Sequence, residues 1–187
     1  MIGSDIFIEK VGITKRLMLK LGWNQNKYGT RFDCDYVILF LKDGRIDNIS
    51  DNICFTQNRS KCGKIIPNHC GKSKLNSKKA QLNLYRINRC DYDKIVIYSC
   101  VYLPNERGHH FGTVKDLKLS ISDVVTGEEI VNFDIDYDNV YNTTSILLCE
   151  IYKSDDSWFL KHKCDGSRQK MYDIFALYGE FEKQIIK

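Results

Sequence analysis

The stretch Tyr36-Val37-Ile38-Leu39-Phe40-Leu41-Lys42-Asp43-Gly44-Arg45 decides how this 187-residue chain reads. Six consecutive apolar residues are too few for a helix of ordinary length. The nearly continuous apolar run reads as an extended strand. The strand stops at Lys42, and Asp43-Gly44 supplies the two residues that a tight hairpin turn prefers. Working outward, the same period of two recurs. Leu17, Leu19 and Leu21 alternate with other residues before Gly22-Trp23, and Ile53 to Phe55 reads as a short return strand. Leu82 and Leu84 alternate with Gln81, Asn83 and Tyr85. Ile95 to Leu103, apolar, aromatic and β-branched, reads as a central strand buried on both faces. Leu117, Leu119 and Ile121 alternate with Lys118, Ser120 and Ser122, which gives one wet face. Thr126-Gly127-Glu128-Glu129 turns the chain into Ile130 to Ile135. Ile146 to Tyr152 and Trp158 to Lys163 form a last hairpin around Ser154-Asp155-Asp156-Ser157. Only near the end does the period change. Met171, Ile174, Phe175 and Tyr178 mark one face of an amphipathic helix that Gly179 ends.

This pattern predicts an all-β fold, a sandwich of two antiparallel sheets with a short C-terminal helix, formed by residues 1–187 as a single domain. Leu19, Ile38, Ile97, Leu119 and Leu148 are its expected core, and Trp23 and Trp158 its expected buried anchors. The segment 56–79 has no sustained period and is expected to be a basic irregular loop, either functional or mobile because of its length. No apolar run is long enough to span a bilayer as a helix. Met1-Ile2-Gly3-Ser4-Asp5 contains neither a basic nor an apolar leader region, so a cytoplasmic location is expected.

The formal net charge is +4, but it is unevenly spread. Residues 52–90 hold nine Lys or Arg and no Asp or Glu, so the rest of the chain is net acidic. Segregation of this kind concerns partners, not fold. The eight cysteines include no Cys-x-x-Cys pair. Cys34, Cys54, Cys100 and Cys149 lie in apolar runs, where a reduced cysteine packs as a small hydrophobe. Cys62 with His69 and Cys70, or His162 with Cys164, offers zinc-ligating atoms. Neither set matches a common zinc spacing or completes four ligands locally. Gly71-Lys72-Ser73 lacks the first glycine of a phosphate-binding loop, since Ile66 stands there. His109-His110 has no nucleophile elbow to serve. The sequence therefore presents no catalytic constellation.

Five motifs resemble the TerD family of tellurium-resistance and general-stress proteins. They are Leu21-Gly22-Trp23; Phe32-Asp33-Cys34-Asp35; Phe111-Gly112-Thr113-Val114; Thr126-Gly127-Glu128-Glu129-Ile130 with Phe133-Asp134-Ile135; and Cys149-Glu150-Ile151-Tyr152 with Trp158. They occur in that family's order between about residue 15 and residue 179. The resemblance implies a β-sandwich, a role in tellurite resistance or stress response, calcium binding through acidic loops, and partners among sister proteins of the family. Asp33 and Asp35, two apart on an extended chain, share one face as calcium's oxygen ligands would, and Asp138 is the third expected ligand. The chain departs from the family where its acidic loop should stand. Residues 68–79 carry Lys72, Lys74, Lys78 and Lys79 and no carboxylate, while Asn24 and Thr143 replace acidic residues of the pattern. A calcium site is thus expected to be weak or lost. Alternatively, these lysines reach across and pair with Asp33 and Asp35, so that a salt bridge stands in for the metal. The alternative is an anion or nucleotide site built from the basic loop 59–79, an inference to which cAMP-binding members of the wider family add weight. Nucleic acid ranks below both, because the loop has few aromatics on which bases could stack.

Overall fold

The computed structural model describes residues 5–11, 15–24, 29–67 and 76–179. The deciding stretch forms strand β3 (Cys34–Lys42), and Arg45–Ile46 forms β4. Numbered in chain order, β1 is Ile6–Lys10 and β2 is Arg16–Asn24. Leu41 pairs with Ile46 and Lys42 with Arg45. Asp43 (φ 51°) and Gly44 (φ 76°) are both left-handed, as the primed two-residue turn requires.

Downstream of β4 lie β5 (Gly63–Ile66), β6 (Ser77–Asn83), β7 (Lys94–Val101), β8 (Lys115–Asp123), β9 (Glu129–Asp134), β10 (Ser145–Ser154) and β11 (Ser157–Ser167). They form a six-stranded sheet in the order β1-β11-β10-β7-β3-β4 and a five-stranded sheet in the order β5-β6-β2-β8-β9. Every pairing is antiparallel. The expected all-β sandwich is therefore the observed fold.

The alternation seen in the sequence sorts side chains between the two faces. Leu17, Leu19 and Leu21 of β2 point into the space between the sheets, where they meet Ile38, Ile97, Leu119 and Leu148. All of these are fully buried. β3 and β7 are buried on both sides. Val37, Leu39, Leu41, Val96 and Tyr98 form a second cluster on the outer face of the six-stranded sheet. That cluster exists because a helix, α4 (Met171–Ala176), covers it with Ile174 and Phe175. The Tyr178 hydroxyl then meets that of Tyr98 at 3.0 Å, and its carbonyl accepts from the Ile46 amide at 2.9 Å.

Three expectations are corrected. Ile53 to Phe55 is no strand. Ile53 exchanges two backbone hydrogen bonds with Ile38, but the Asn52 side chain takes the next amide, that of Phe40, at 2.8 Å and ends the ladder. The alternation through Leu84 also stops early. The Asn83 side chain accepts from the Arg86 amide at 3.1 Å and caps a helix, α1 (Leu84–Arg89), which buries Leu84 and Ile87. Nor is segment 56–79 wholly irregular. Gly63–Ile66 forms the half-buried edge strand β5, whose uniform exposure leaves no period to read, and β6 begins at Ser77. Two further short helices, α2 (Pro104–Arg107) and α3 (Tyr137–Val140), lie in connections.

Candidate functional site

Motifs far apart in sequence meet at one end of the sandwich. Trp23 lies near the end of β2, just before Asn24, and Phe32 leads into β3. Phe111 opens the 3-10 turn Phe111–Thr113. The Trp23 and Phe32 rings pack edge to face at 5.5 Å, and the Phe32 and Phe111 rings at 5.6 Å. All three rings are buried, so they fix the path by which the chain enters β3. That path sets Asp33 and Asp35. The Asp33 carboxylate accepts the Cys34 amide at 3.0 Å, and its carbonyl accepts the Tyr102 amide at 2.9 Å.

Lys78 of β6 reaches across from the other sheet. Its ammonium lies 3.2 Å from Asp33 Oδ1 and 3.0 Å from Asp35 Oδ1. The Lys78 and Asp35 side chains are 17% and 12% exposed, and Asp33 is 40% exposed. Burial raises the Asp35 carboxyl above its ordinary value, and Lys78 offsets only part of that rise. Burial also works against the Lys78 charge, but Asp35 and Asp33 outweigh it and raise the lysine's pKa. The ammonium thus touches both carboxylates at once. On its open side Asp35 borders a largely apolar cavity of about 340 Å³, lined among others by Phe55, Tyr102, Leu103, Met171 and Tyr172.

The other expected site residues are placed differently. Asp138 sits exposed on α3, its amide bound to the Asp136 side chain at 3.1 Å. Its helix packs against the Phe111 turn, and the Tyr137 hydroxyl donates to the Gly112 carbonyl at 2.8 Å. The Asp138 carboxylate does not join Asp33 and Asp35 in a common ligand group. Lys79 is exposed on β6, while Lys72 and Lys74 lie outside the described residues. The zinc set of Cys62, His69 and Cys70 is likewise incomplete there, since only Cys62 is described. His162 Nε2 contacts Cys164 Sγ at 2.7 Å, and burial lowers the pKa of His162.

Sequence reasoning missed a second basic site. Arg16, Arg59, Lys61 and Lys64 surround a cavity of about 250 Å³ that also presents Ser60 and Asn83. The signal lay in the run without acids, but Arg16 is far from it in sequence and joins only through the pairing of β2 with β6.

The chain matches known proteins over nearly its whole length. Stress response protein SCP2 of Bacillus subtilis (strain 168) is 26% identical over 194 residues, covering 93% of this chain and 94% of the relative. General stress protein 16U of the same organism is 26% identical over 183 residues, covering 91% and 94%. Among solved structures, SAV2460, a protein of unknown function, superposes with a TM-score of 0.65 at 15% identity, covering 87% of this chain and 95% of that one. SCO6318 from Streptomyces coelicolor A3(2), a homologue of telluride resistance protein (TerD), gives 0.64 at 11% identity, covering 87% and 96%. At such identities these two likenesses speak for the fold alone. The family pattern of the TerD domain matches residues 3–178, and the chain belongs to that family.

Proposed function

We propose that this TerD-domain protein is a non-enzymatic stress-response binding module of the cytoplasm, whose calcium site is degenerate because a lysine holds the carboxylates that would bind the ion. The observation that carries this reading is Lys78 lying within 3.2 Å of Asp33 and 3.0 Å of Asp35. An ammonium in that position supplies positive charge without an ion. It also repels Ca²⁺ at close range. Asp33 and Asp35 together fall well short of the roughly six to eight oxygen ligands that calcium takes. The stress role is supported by the two Bacillus subtilis relatives named above. Partners among sister proteins of the family belong to the same reading.

Calorimetric titration with calcium tests it. Weak binding, with a dissociation constant on the order of 10⁻³ M, or no binding is expected for the natural chain. Sub-micromolar binding would refute it.

A second reading, anion or nucleotide binding, is favoured by the groove formed by Arg16, Arg59, Lys61 and Lys64. Among the described residues, Arg16, Arg59 and Lys64 are its free cations, since Lys61 pairs with Asp51, and of the expected set Lys78 is likewise committed, to two carboxylates. Titration with inorganic phosphate and with cAMP tests it. Loss of any binding in Arg16→Ala and Lys64→Ala would assign it to the groove.

A further inference from the structure

Toward the other end of β6 from Lys78, where Asn83 bonds to Cys62, three residues distant in sequence come together. A carboxylate oxygen of Asp51 and the sulfurs of Cys62 and Cys90 all lie within 4.8 Å of one another, the one such group of three among the described residues. We propose that Asp51, Cys62 and Cys90 form a binding site for a thiophilic divalent metal ion, Zn²⁺ by its ligand set, with water in the fourth position.

The ligand chemistry fits. Two thiolates and one carboxylate suit a borderline-soft ion that prefers four tetrahedral ligands. Harder ions such as calcium would find too few oxygens. The scaffold is rigid. Asp51 closes the 3-10 turn Ile49–Asp51. The Cys62 amide is bound to Ser60 Oγ at 3.1 Å, and its carbonyl accepts the Asn83 amide at 2.8 Å. Cys90 caps the C-terminus of α1.

Asp51 is already oriented as a metal-bound carboxylate would be. Its Oδ2 accepts the Tyr92 hydroxyl at 2.6 Å, receives Asn48 Nδ2 at 3.4 Å and pairs with Lys61 Nζ at 3.0 Å. These bonds all hold the carboxylate through Oδ2. Outer contacts of this kind fix ligand geometry at metal sites. Charge also balances. Binding releases the two thiol protons to solvent, so two thiolates and a carboxylate face Zn²⁺ with one negative charge in excess. The Lys61 ammonium beside Asp51 and Cys90 cancels that excess. Asp51 and Cys62 are buried, whereas Cys90 is partly exposed and leaves a way in for the ion and for water.

The test is titration of the reduced full-length chain with Co²⁺, using a reductant that does not chelate metal. One equivalent should produce a thiolate-to-cobalt charge-transfer band together with the visible bands of tetrahedral cobalt, and Zn²⁺ should bleach both. Cys90→Ser removes a ligand from a partly exposed position and should weaken binding on the order of 100-fold or more. Tyr92→Phe leaves all three ligands in place and should weaken it about 10–100-fold. Cys164→Ser should change nothing. Absence of the charge-transfer band in the natural chain overturns the proposal. So does a band of undiminished affinity in Cys90→Ser.

Discussion

Replacing Lys78 with Met keeps most of the length of the side chain and removes its charge. Two carboxylates are then left facing each other, one of them in a mostly buried position. Breaking a fully buried ion pair costs about 3–5 kcal/mol, because the remaining charge has lost its partner. Exposed pairs are worth about 0–1 kcal/mol. Lys78 and Asp35 are 17% and 12% exposed, while Asp33 at 40% retains much of its hydration. The expected loss is therefore intermediate, about 2 kcal/mol at neutral pH. The pH dependence has a definite sign. Asp35 is raised by burial even with Lys78 present, so its folded form binds more protons than its unfolded form above the ordinary carboxylate value of 3.8. Its contribution to stability therefore falls as pH rises from there, and this fall should steepen and extend upward in Lys78→Met. The substitution should also unmask a response to calcium. An ion present at about ten times a millimolar dissociation constant returns about 1.4 kcal/mol to the folded state. The assay is urea denaturation at several pH values, with and without calcium. If Lys78→Met matches the natural chain within about 0.5 kcal/mol at neutral pH and in its pH profile, the ion triad does not hold this end of the sandwich.

Four further outcomes are expected. Trp158→Ala, at a position 1% exposed, should cost about 3–5 kcal/mol in chemical denaturation, and Trp23→Ala a comparable amount. Gly63→Ala should cost about 1–3 kcal/mol, because the added methyl would run into the Gln81 carbonyl oxygen, with Ile53 and Leu82 close by. Tyr92→Phe should cost about 1.5–3 kcal/mol without any metal, since Asp51 loses its shortest hydrogen bond. Burial lowers the pKa of both His110 and His162 below 6.5. The unfolded chain therefore takes up protons first, and stability should decline as pH falls through about 6.5; His162→Gln should flatten that decline in thermal melts at pH 5–7.

Much of the fold was legible because alternation is a local property. Leu17, Leu19 and Leu21 declare a strand with one buried face whatever lies beside it, and Asp43-Gly44 declares its turn. Failures arose where a single polar side chain overrode the pattern. Asn52 stops a strand at Ile53 by taking the Phe40 amide, and Asn83 starts a helix where Leu82 and Leu84 still alternate. Both are side-chain bonds to backbone that compete with the ladder. Apolar periodicity contains no trace of them, although an Asn before Leu84 and Ile87 is a capping signal.

The site divides along the same line. Asp33 and Asp35 could be named because a spacing of two on a strand puts both on one face. That a lysine answers them could be anticipated from the charge of residues 68–79. Which lysine does so depends on the register of β6 against β2, Leu21 opposite Lys78, and no local reading yields that register. Asp51, Cys62 and Cys90 lie still further from sequence reasoning. Searching near Cys62 favours His69 and Cys70 as co-ligands. The pairing of β5 with β6, followed at once by α1, carries Cys90 back to Cys62 across 28 residues instead. Two of the chain's buried carboxylates, Asp35 and Asp51, thus each sit beside a lysine from the acid-free stretch 52–90. The charge asymmetry of the sequence is therefore partly internal. Lys61 and Lys78 neutralise carboxylates within the fold, while Arg16, Arg59 and Lys64 line an open groove where a partner could meet them.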